Sequence, residues 1–289
     1  MKYEHFNNDQ LRMSELYTRL CGWMDGVRWY QDDRVFSAIK SLIPAHPRTI
    51  LELCCGTGKL LDQLSTAFPA AQIAGVDISS GMVRAARERT QSRNMVTVLV
   101  GDWMYDLVTE GADAYDVIVV KNALHLLDDA ETRLRELSQL THQRTELIIV
   151  ETISPTSAAN AFIRKLFRNV DDSDLKRSFF TEPTLAKLLR QSGWVRDIAR
   201  PILVEQSIDI ADWLSRKSSS EDARARAVDD LVRASANKSV RTAMKFDNPG
   251  GAVPNHMLRL QYISRYHWHP VETDEAALNS DQAVQLELV

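Results

Sequence analysis

Between residues 50 and 61 the chain reads Ile50-Leu51-Glu52-Leu53-Cys54-Cys55-Gly56-Thr57-Gly58-Lys59-Leu60-Leu61. An apolar run of strand type breaks into a turn with two glycines, and helical spacing resumes at once. Such a turn brings backbone to a ligand. The glycines remove Cβ atoms that would block close approach, and the helix start leaves unsatisfied N–H groups beside the ligand. The feature restricts the chain to α/β architectures whose first strand ends at a binding site.

The segments that follow agree with that restriction. Strand-type runs at 49–53, 72–76, 95–100, 115–120 and 146–150 alternate with helical patterns at 58–68, 80–91 and about 129–140. Alternation at this scale predicts a parallel sheet with helices on both faces. Ligands in such sheets sit beyond the carboxyl ends of the strands. Here those ends carry Glu52–Gly58, Asp77, Gly101-Asp102, Lys121–His125 and Glu151. Asp77 follows Glu52 by one βα unit, where a carboxylate accepts both hydroxyls of a ribose. A nicotinamide dinucleotide would want the same acid, so a dinucleotide oxidoreductase is the alternative reading of the fold.

Helical patterns at 11–24 and 28–42 precede the first strand, and Tyr17, Trp23 and Trp29 on them are candidates for a pocket rim. Helix-type spacing also marks 156–168 and the helix opened by Thr181-Glu182-Pro183, with a solvated loop at 171–174 between them. Residues 194–204 read as one or two extended segments, and 209–247 are helical and charged. Residues 257–268 alternate Leu258, Leu260 and Tyr262 against Arg259, Gln261 and Ser264, the pattern of a half-exposed strand. The organisation expected is an N-terminal helical cap over 1–47, a main domain over 48–270 with a helical insertion at 207–250, and a polar tail over 271–289.

The formal charge of −4 over 289 residues gives no whole-chain attraction to nucleic acid or anionic membrane. The arginines near 224–241 are mixed with Asp222, Asp229 and Asp230, which reads as a solvated helix face. No apolar run approaches the length of a membrane span and the first residues lack a signal peptide's apolar core, so a cytoplasmic setting is expected. Three cysteines, two of them adjacent, make no disulfide framework. His256, His267 and His269 lack ligand partners at a recognised spacing, and no metal site is expected.

Four motifs together resemble the class I S-adenosylmethionine-dependent methyltransferases, in the small-molecule branch similar to the ubiquinone and menaquinone enzymes. Glu52-Leu53-Cys54-Cys55-Gly56-Thr57-Gly58 is similar to their first motif, with Cys54 standing at the family's first glycine. Ala74–Ser79 with Met82 is similar to the ribose-binding second motif. Gly101-Asp102-Trp103 resembles the adenine segment, and Tyr115–Val119 through His125 the fourth-strand motif. The resemblance implies a Rossmann-like, seven-stranded, mostly parallel sheet with added cap helices, binding S-adenosylmethionine. It implies cofactor contacts from Glu52, Leu53, Cys54, Gly56, Gly58, Asp77, Ile78, Met82, Gly101, Asp102, Trp103, Lys121 and Asn122.

The activity implied is methyl transfer to a small molecule by in-line displacement at an O, N, S or C nucleophile, with specialised metabolism as the setting. Lys121-Asn122-Ala123-Leu124 lacks the Asn/Asp-Pro-Pro-aromatic signature used on exocyclic amines. His125 is the candidate base or acceptor contact, and Glu151 a second catalytic candidate. Tyr17, Trp23, Trp29 and His125 are the expected substrate contacts. The alternatives are a cofactor-dependent rearrangement, cyclisation or decarboxylation, and a non-catalytic cofactor-binding module. The helices at 207–250 are expected to close over the substrate or, alternatively, to form a homodimer interface.

Overall fold

The computed structural model describes residues 6–27, 30, 32–108, 114–127, 129–170, 177–218, 220–248 and 251–269. The expectations for Trp29, the loop at 171–174 and the tail at 271–289 lie outside the described residues, as does the side chain of Trp103.

Five strands form the parallel part of one sheet: β1 (Thr49–Leu53), β2 (Gln72–Asp77), β3 (Val96–Val100), β4 (Val117–Lys121) and β5 (Glu146–Ile153). They lie in the order β3-β2-β1-β4-β5. β1 is central, with Leu53 opposite Val76 on one side and Val120 on the other. Three further strands are β6 (Trp194–Arg196), β7 (Ile202–Asp209) and β8 (His256–Trp268). β8 runs antiparallel to β5, and both β6 and β7 pair antiparallel with its other edge.

The strand count is therefore eight, a correction to the seven expected. The reason is local. β7 pairs with β8 from His256 to Ile263 and β6 from Tyr266 to Trp268, so one strand position is filled by two segments interrupted at 197–201. Asp197, in the interruption, accepts from Arg265 of β8. A second correction concerns β8 itself. Pairing on both edges and packing on both faces leave Gln261 and Ser264 buried, so the alternation read as half-exposed does not meet solvent there.

Ten helices among the described residues complete the fold. α1 (Asn8–Met24) and α2 (Asp33–Leu42) precede the sheet. α3 (Lys59–Ala67), α4 (Ser80–Thr90) and α5 (Ala130–Glu136) are the crossovers, the last continuing as a 3₁₀ turn to Leu140. α6 (Ser157–Val170) and α7 (Glu182–Gln191) follow β5. α8 (Ile210–Lys217), α9 (Glu221–Ala236) and α10 (Lys238–Ala243) lie between β7 and β8. β7 thus runs three residues, 207–209, into the segment expected to be inserted helix.

The sheet has an apolar core on each face. Leu51 and Leu53 face a cluster with α5 and α7, through Leu134, Leu185 and Leu189. Ile50 faces the opposite cluster, with Ile39, Leu61 and Val83 of α2, α3 and α4. A third core joins α6 to α8, α9 and α10 through Leu166, Trp213 and Leu231, and reaches the sheet through Ile208 of β7 and Met257 of β8. These four helices thus pack on the ends of the antiparallel strands, whereas α1 is tied to the second strand end by polar bonds. Ser14 Oγ donates to Ile78 O at 2.8 Å, and Thr18 Oγ1 meets Ser79 Oγ at 2.9 Å. Ser79 is also the N-cap of α4, accepting from Met82 N–H, so α1 is fastened to a helix start beside the second strand end.

Gly58 shows why the turn after β1 needs a glycine. Its φ is +73°, and a Cβ there would lie 2.7 Å from Ala86 Cβ, so α3 begins in contact with α4. Gly58→Ala combines a left-handed conformation with overpacking, and a loss of about 1–3 kcal/mol in unfolding free energy is expected. Urea denaturation of the variant against the parent measures it; an unchanged midpoint would contradict the packing argument.

Candidate functional site

The strand ends, α1 and the upper helices enclose one cavity of about 700 Å³, within the range of roughly 300–1,000 Å³ for small-molecule sites. It runs from the glycine turn of β1, past the ends of β4 and β5, to aromatic side chains of the helical cap.

At the first end, three residues after β1 adopt positive φ: Cys54 (+56°), Gly56 (+54°) and Gly58 (+73°). A left-handed non-glycine residue costs on the order of 1–2 kcal/mol. At Cys54, where the resembling family has glycine, that cost is borne by a cysteine on the cavity wall. Asn122, after the adjacent β4, is also left-handed at +52°. The strain therefore sits at two neighbouring strand ends, both facing the cavity. Burial pushes the Cys54 and Cys55 thiols well up from their ordinary range, which makes them poor nucleophiles.

Asp77 accepts from Gly56 N–H and Ser79 N–H, each at 2.9 Å. Burial outweighs those bonds and raises its pKa to about 6. Glu52 is buried beside it, and one carboxylate oxygen, Oε2, has no hydrogen-bond partner among the described residues. Burial pushes the Glu52 pKa up, opposed chiefly by the charge of Lys121, and pushes that of Lys121 down, opposed by Glu52. Lys121 Nζ lies 4.5 Å from the centre of the Tyr30 ring, and the Tyr30 hydroxyl is 3.2 Å from Thr57 Oγ1. Tyr30, between α1 and α2, thus lies against the glycine turn.

In the middle of the cavity, His125 Nδ1 meets Glu151 Oε1 at 2.9 Å. Glu151 is wholly buried and also accepts from the backbone N–H of His125 and of Thr152. Both carboxylate oxygens are therefore occupied in holding this corner. With a carboxylate as acceptor, Nδ1 carries the proton and donates, which leaves Nε2 as the basic ring atom. His125 lines the cavity while Glu151 lies behind it.

Of the residues expected to bind cofactor, Glu52, Cys54, Gly56, Asp77, Ile78, Met82, Lys121 and Asn122 line the cavity. Leu53 faces the core and Gly58 packs on Ala86. Gly101 and Asp102 are buried away from the wall: Arg133 Nη1 reaches Asp102 Oδ1 at 2.5 Å, and Gln10 of α1 donates to Oδ2. Tyr17, Trp23 and His125, expected to touch substrate, line the cavity. Sequence reasoning did not select Arg177, Arg259 or Trp213 for the wall. Arg259 carried a signal, a cation on a strand flanked by Leu258 and Leu260, but the alternation assigned its face to solvent.

The histidines near the C-terminus do have carboxylate partners. His256 pairs with Asp247 at 2.9 Å, and His267 lies 3.2 Å from Asp197 and 3.6 Å from Glu146. Glu146, Asp197 and His267 converge as metal ligands could. Arg265 already supplies the cation there, 3.1 Å from Glu146 and paired with Asp197.

The geometry is that of an α/β domain with a cavity running from the first two strand ends toward the cap helices. The family model described as a methyltransferase domain matches residues 50–144, about a third of the chain. Demethylmenaquinone methyltransferase of Staphylococcus aureus is 30% identical over 107 residues, 37% of this chain and 44% of that protein. The match thus spans less than half of the curated relative. Among solved structures, the YcgJ protein of Bacillus subtilis is similar with a TM-score of 0.68 at 18% identity, over 81% of this chain and 97% of that one. The [4+2]-cyclase SpnF is similar with a TM-score of 0.60 at 14% identity, over 91% and 97%. Both speak for the fold. No helix among the described residues is long and apolar enough to cross a membrane.

The donor set suits S-adenosylmethionine. Glu52, with its unpartnered Oε2, offers a carboxylate to an ammonium group; Asp77 offers one to a ribose diol; Ile78 and Met82 add apolar wall.

Asp77 also sets a pH dependence. Its folded pKa of about 6 stands above the unfolded value of about 3.9, so the native state binds the proton more tightly. The contribution of Asp77 to stability is therefore greatest below pH 4, falls as pH rises to about 6, and is level above that. Asp77→Asn removes this loss. Urea titrations at pH 4 and pH 6.5 are expected to show a decline in the parent larger by on the order of 2–3 kcal/mol than in the variant. Equal declines would contradict the assignment.

Proposed function

We propose that this protein transfers the methyl group of S-adenosylmethionine to a small organic acceptor. The observation that carries the reading is the continuity of the cavity, from Glu52 and Asp77 at the glycine turn to His125 at the end of β4 and on beneath the cap helices. Cofactor and acceptor can then meet without crossing solvent.

In this reading Glu52 and Lys121 face the charged amino-acid end of the cofactor, and Asp77 takes its ribose hydroxyls. The cofactor supplies a methyl group on a positively charged sulfur, which leaves the bonding electron pair on sulfur when it is displaced. The protein's work is then alignment and exclusion of water, with removal of the acceptor's proton where the nucleophile is a hydroxyl. His125 accepts that proton at Nε2. Glu151, holding Nδ1–H, positions the ring and stabilises the imidazolium as it forms.

The cap is part of the proposal. α1 and the helices α6 and α8–α10 form the roof of the acceptor chamber, and Trp23 of α1 meets Arg216 and Lys217 of α8 with the cations 5.8 and 5.9 Å from its ring centre. These contacts are weak enough, at about 0.5–1 kcal/mol each when exposed, to break for substrate entry. The acceptor expected is a small molecule, in keeping with a cavity of about 700 Å³. The demethylmenaquinone enzyme, by its name, acts on such an acceptor, which supports the same assignment.

The first test is calorimetry with S-adenosylmethionine and with NADH. Binding of the former is expected; binding of NADH alone would overturn the reading. Asp77→Ala is expected to weaken S-adenosylmethionine binding by about 1–3 kcal/mol. Formation of S-adenosylhomocysteine with an acceptor separates methyl transfer from a cofactor-dependent cyclisation of the kind named for SpnF.

A further inference from the structure

The acceptor chamber beyond His125 has two kinds of wall. One is apolar and aromatic. Phe167 of α6 packs on Trp213 of α8 with ring centres 5.5 Å apart, and on Phe179 at 5.0 Å; Trp23, Met244 and Met257 extend the surface. The other wall is cationic. Arg259 projects from β8 and Arg177 from the segment before α7, and both line the same cavity.

The two arginines are tied to the catalytic corner by a chain of interactions from separate elements. Arg177 hydrogen-bonds the hydroxyl of Tyr17, on α1. Tyr17 and Glu151 both act electrostatically on Arg259. Glu151 in turn holds His125. Five segments of the chain thus bring two guanidiniums, a phenol and an imidazole to one place. Burial lowers the Arg259 pKa to about 10, so the guanidinium remains charged at neutral pH.

Negative groups on the cap side of this cavity are already engaged. Asp212 pairs with Arg216 at 2.7 Å. Asp209 caps α8, accepting from Asp212 N–H at 2.9 Å. Glu151 lies behind the wall, with both oxygens in hydrogen bonds. Asp77 and Glu52 belong to the opposite end, at the glycine turn. Beside His125 the cavity wall thus carries the guanidiniums of Arg177 and Arg259 next to an aromatic surface. Planar guanidiniums match a carboxylate better than a lone ammonium does, because they offer paired donors in a fixed fork.

We propose that the acceptor is an aromatic hydroxy acid. Its ring framework lies against the Phe167–Trp213 surface, its carboxylate meets Arg177 and Arg259, and its hydroxyl faces His125 Nε2. The inference rests on the methyl-transfer reading for the role of the hydroxyl, but the carboxylate subsite does not depend on that reading.

The test uses the full chain and two probes with the same ring system, 1-naphthoate and 1-naphthalenemethanol. Binding is followed by tryptophan fluorescence and checked by calorimetry. The parent is expected to bind the acid at least about tenfold more tightly than the alcohol, about 1.4 kcal/mol. Arg177→Gln and Arg259→Gln are expected to bring the two probes to near parity, with thermal melts reporting whether each variant folds. Equal affinity for the two probes in the parent, tighter binding of the alcohol, or binding of neither overturns the proposal. So does an acid preference that survives both substitutions in folded protein. If neither variant folds, the comparison in the parent decides. A parallel titration of the parent with S-adenosylmethionine keeps the two readings apart. Acid preference without cofactor binding removes the methyl-transfer reading and leaves the anion subsite. Cofactor binding without acid preference does the reverse.

Discussion

The structure depends on the left-handed turn that follows β1. Three residues of positive φ within five positions, Cys54, Gly56 and Gly58, reverse the chain from the central strand into α3 in the least space. The reversal has two consequences that no looser turn would have. Gly58 lets α3 start against Ala86 of α4, fixing the helices on that face. Gly56 turns its N–H onto Asp77, tying the first strand end to the second. The cavity mouth, the seat of α1 and the position of Tyr30 over Thr57 all refer back to this turn.

Around the turn the protein concentrates buried charge. Glu52, Asp77, Lys121 and Arg259 line one cavity, and burial moves each of them toward its neutral form. In a folding-only design, groups in these positions would be replaced by apolar side chains, since a buried charge without full compensation is destabilising. Their presence beside two strained strand ends marks a surface shaped for a charged ligand. The division of signs is spatial. Carboxylates dominate where the glycine turn meets the cavity, and guanidiniums where the cap closes it. His125 stands between them, with its partner Glu151 withdrawn behind the wall.

Stability and access are met by different parts of the fold. The sheet and its two apolar cores hold the strand ends in register. The roof has a core centred on Leu166, Trp213 and Leu231 and anchored to the sheet through Ile208 of β7 and Met257 of β8, and it meets Trp23 of α1 through cation–ring contacts. Contacts of that kind are weak, so the edge of the roof beside α1 is the part suited to open. The eighth strand serves the same division. By filling one strand position with β6 and β7, the chain leaves the sheet at Asp209 and enters the cap directly above the ends of β4 and β5.

The sequence by itself determined the alternation of strands and helices, the parallel sheet, and the turn from Cys54 to Gly58. Those features arise from local patterning: apolar runs of strand length, helix caps such as Ser79, and glycines where a side chain would clash. It also placed Asp77, Lys121 and His125 at strand ends, because in a parallel sheet the end of a strand is a position along the chain. Tertiary structure decided which strand-end groups reach the cavity. Asp102 was turned toward Arg133 and Gln10, partners 31 and 92 residues distant, and no local pattern encodes such a choice. Arg177 and Arg259 come from segments more than eighty residues apart and line one cavity because β8 lies beside β5 and Phe180, before α7, bridges to Ile153 at the end of β5. Glu151 became the support of His125 because neighbouring strands β4 and β5 end level, with Lys121 opposite Val150. Pairing across a sheet and packing of a cap are non-local, and they set the acceptor side of this protein.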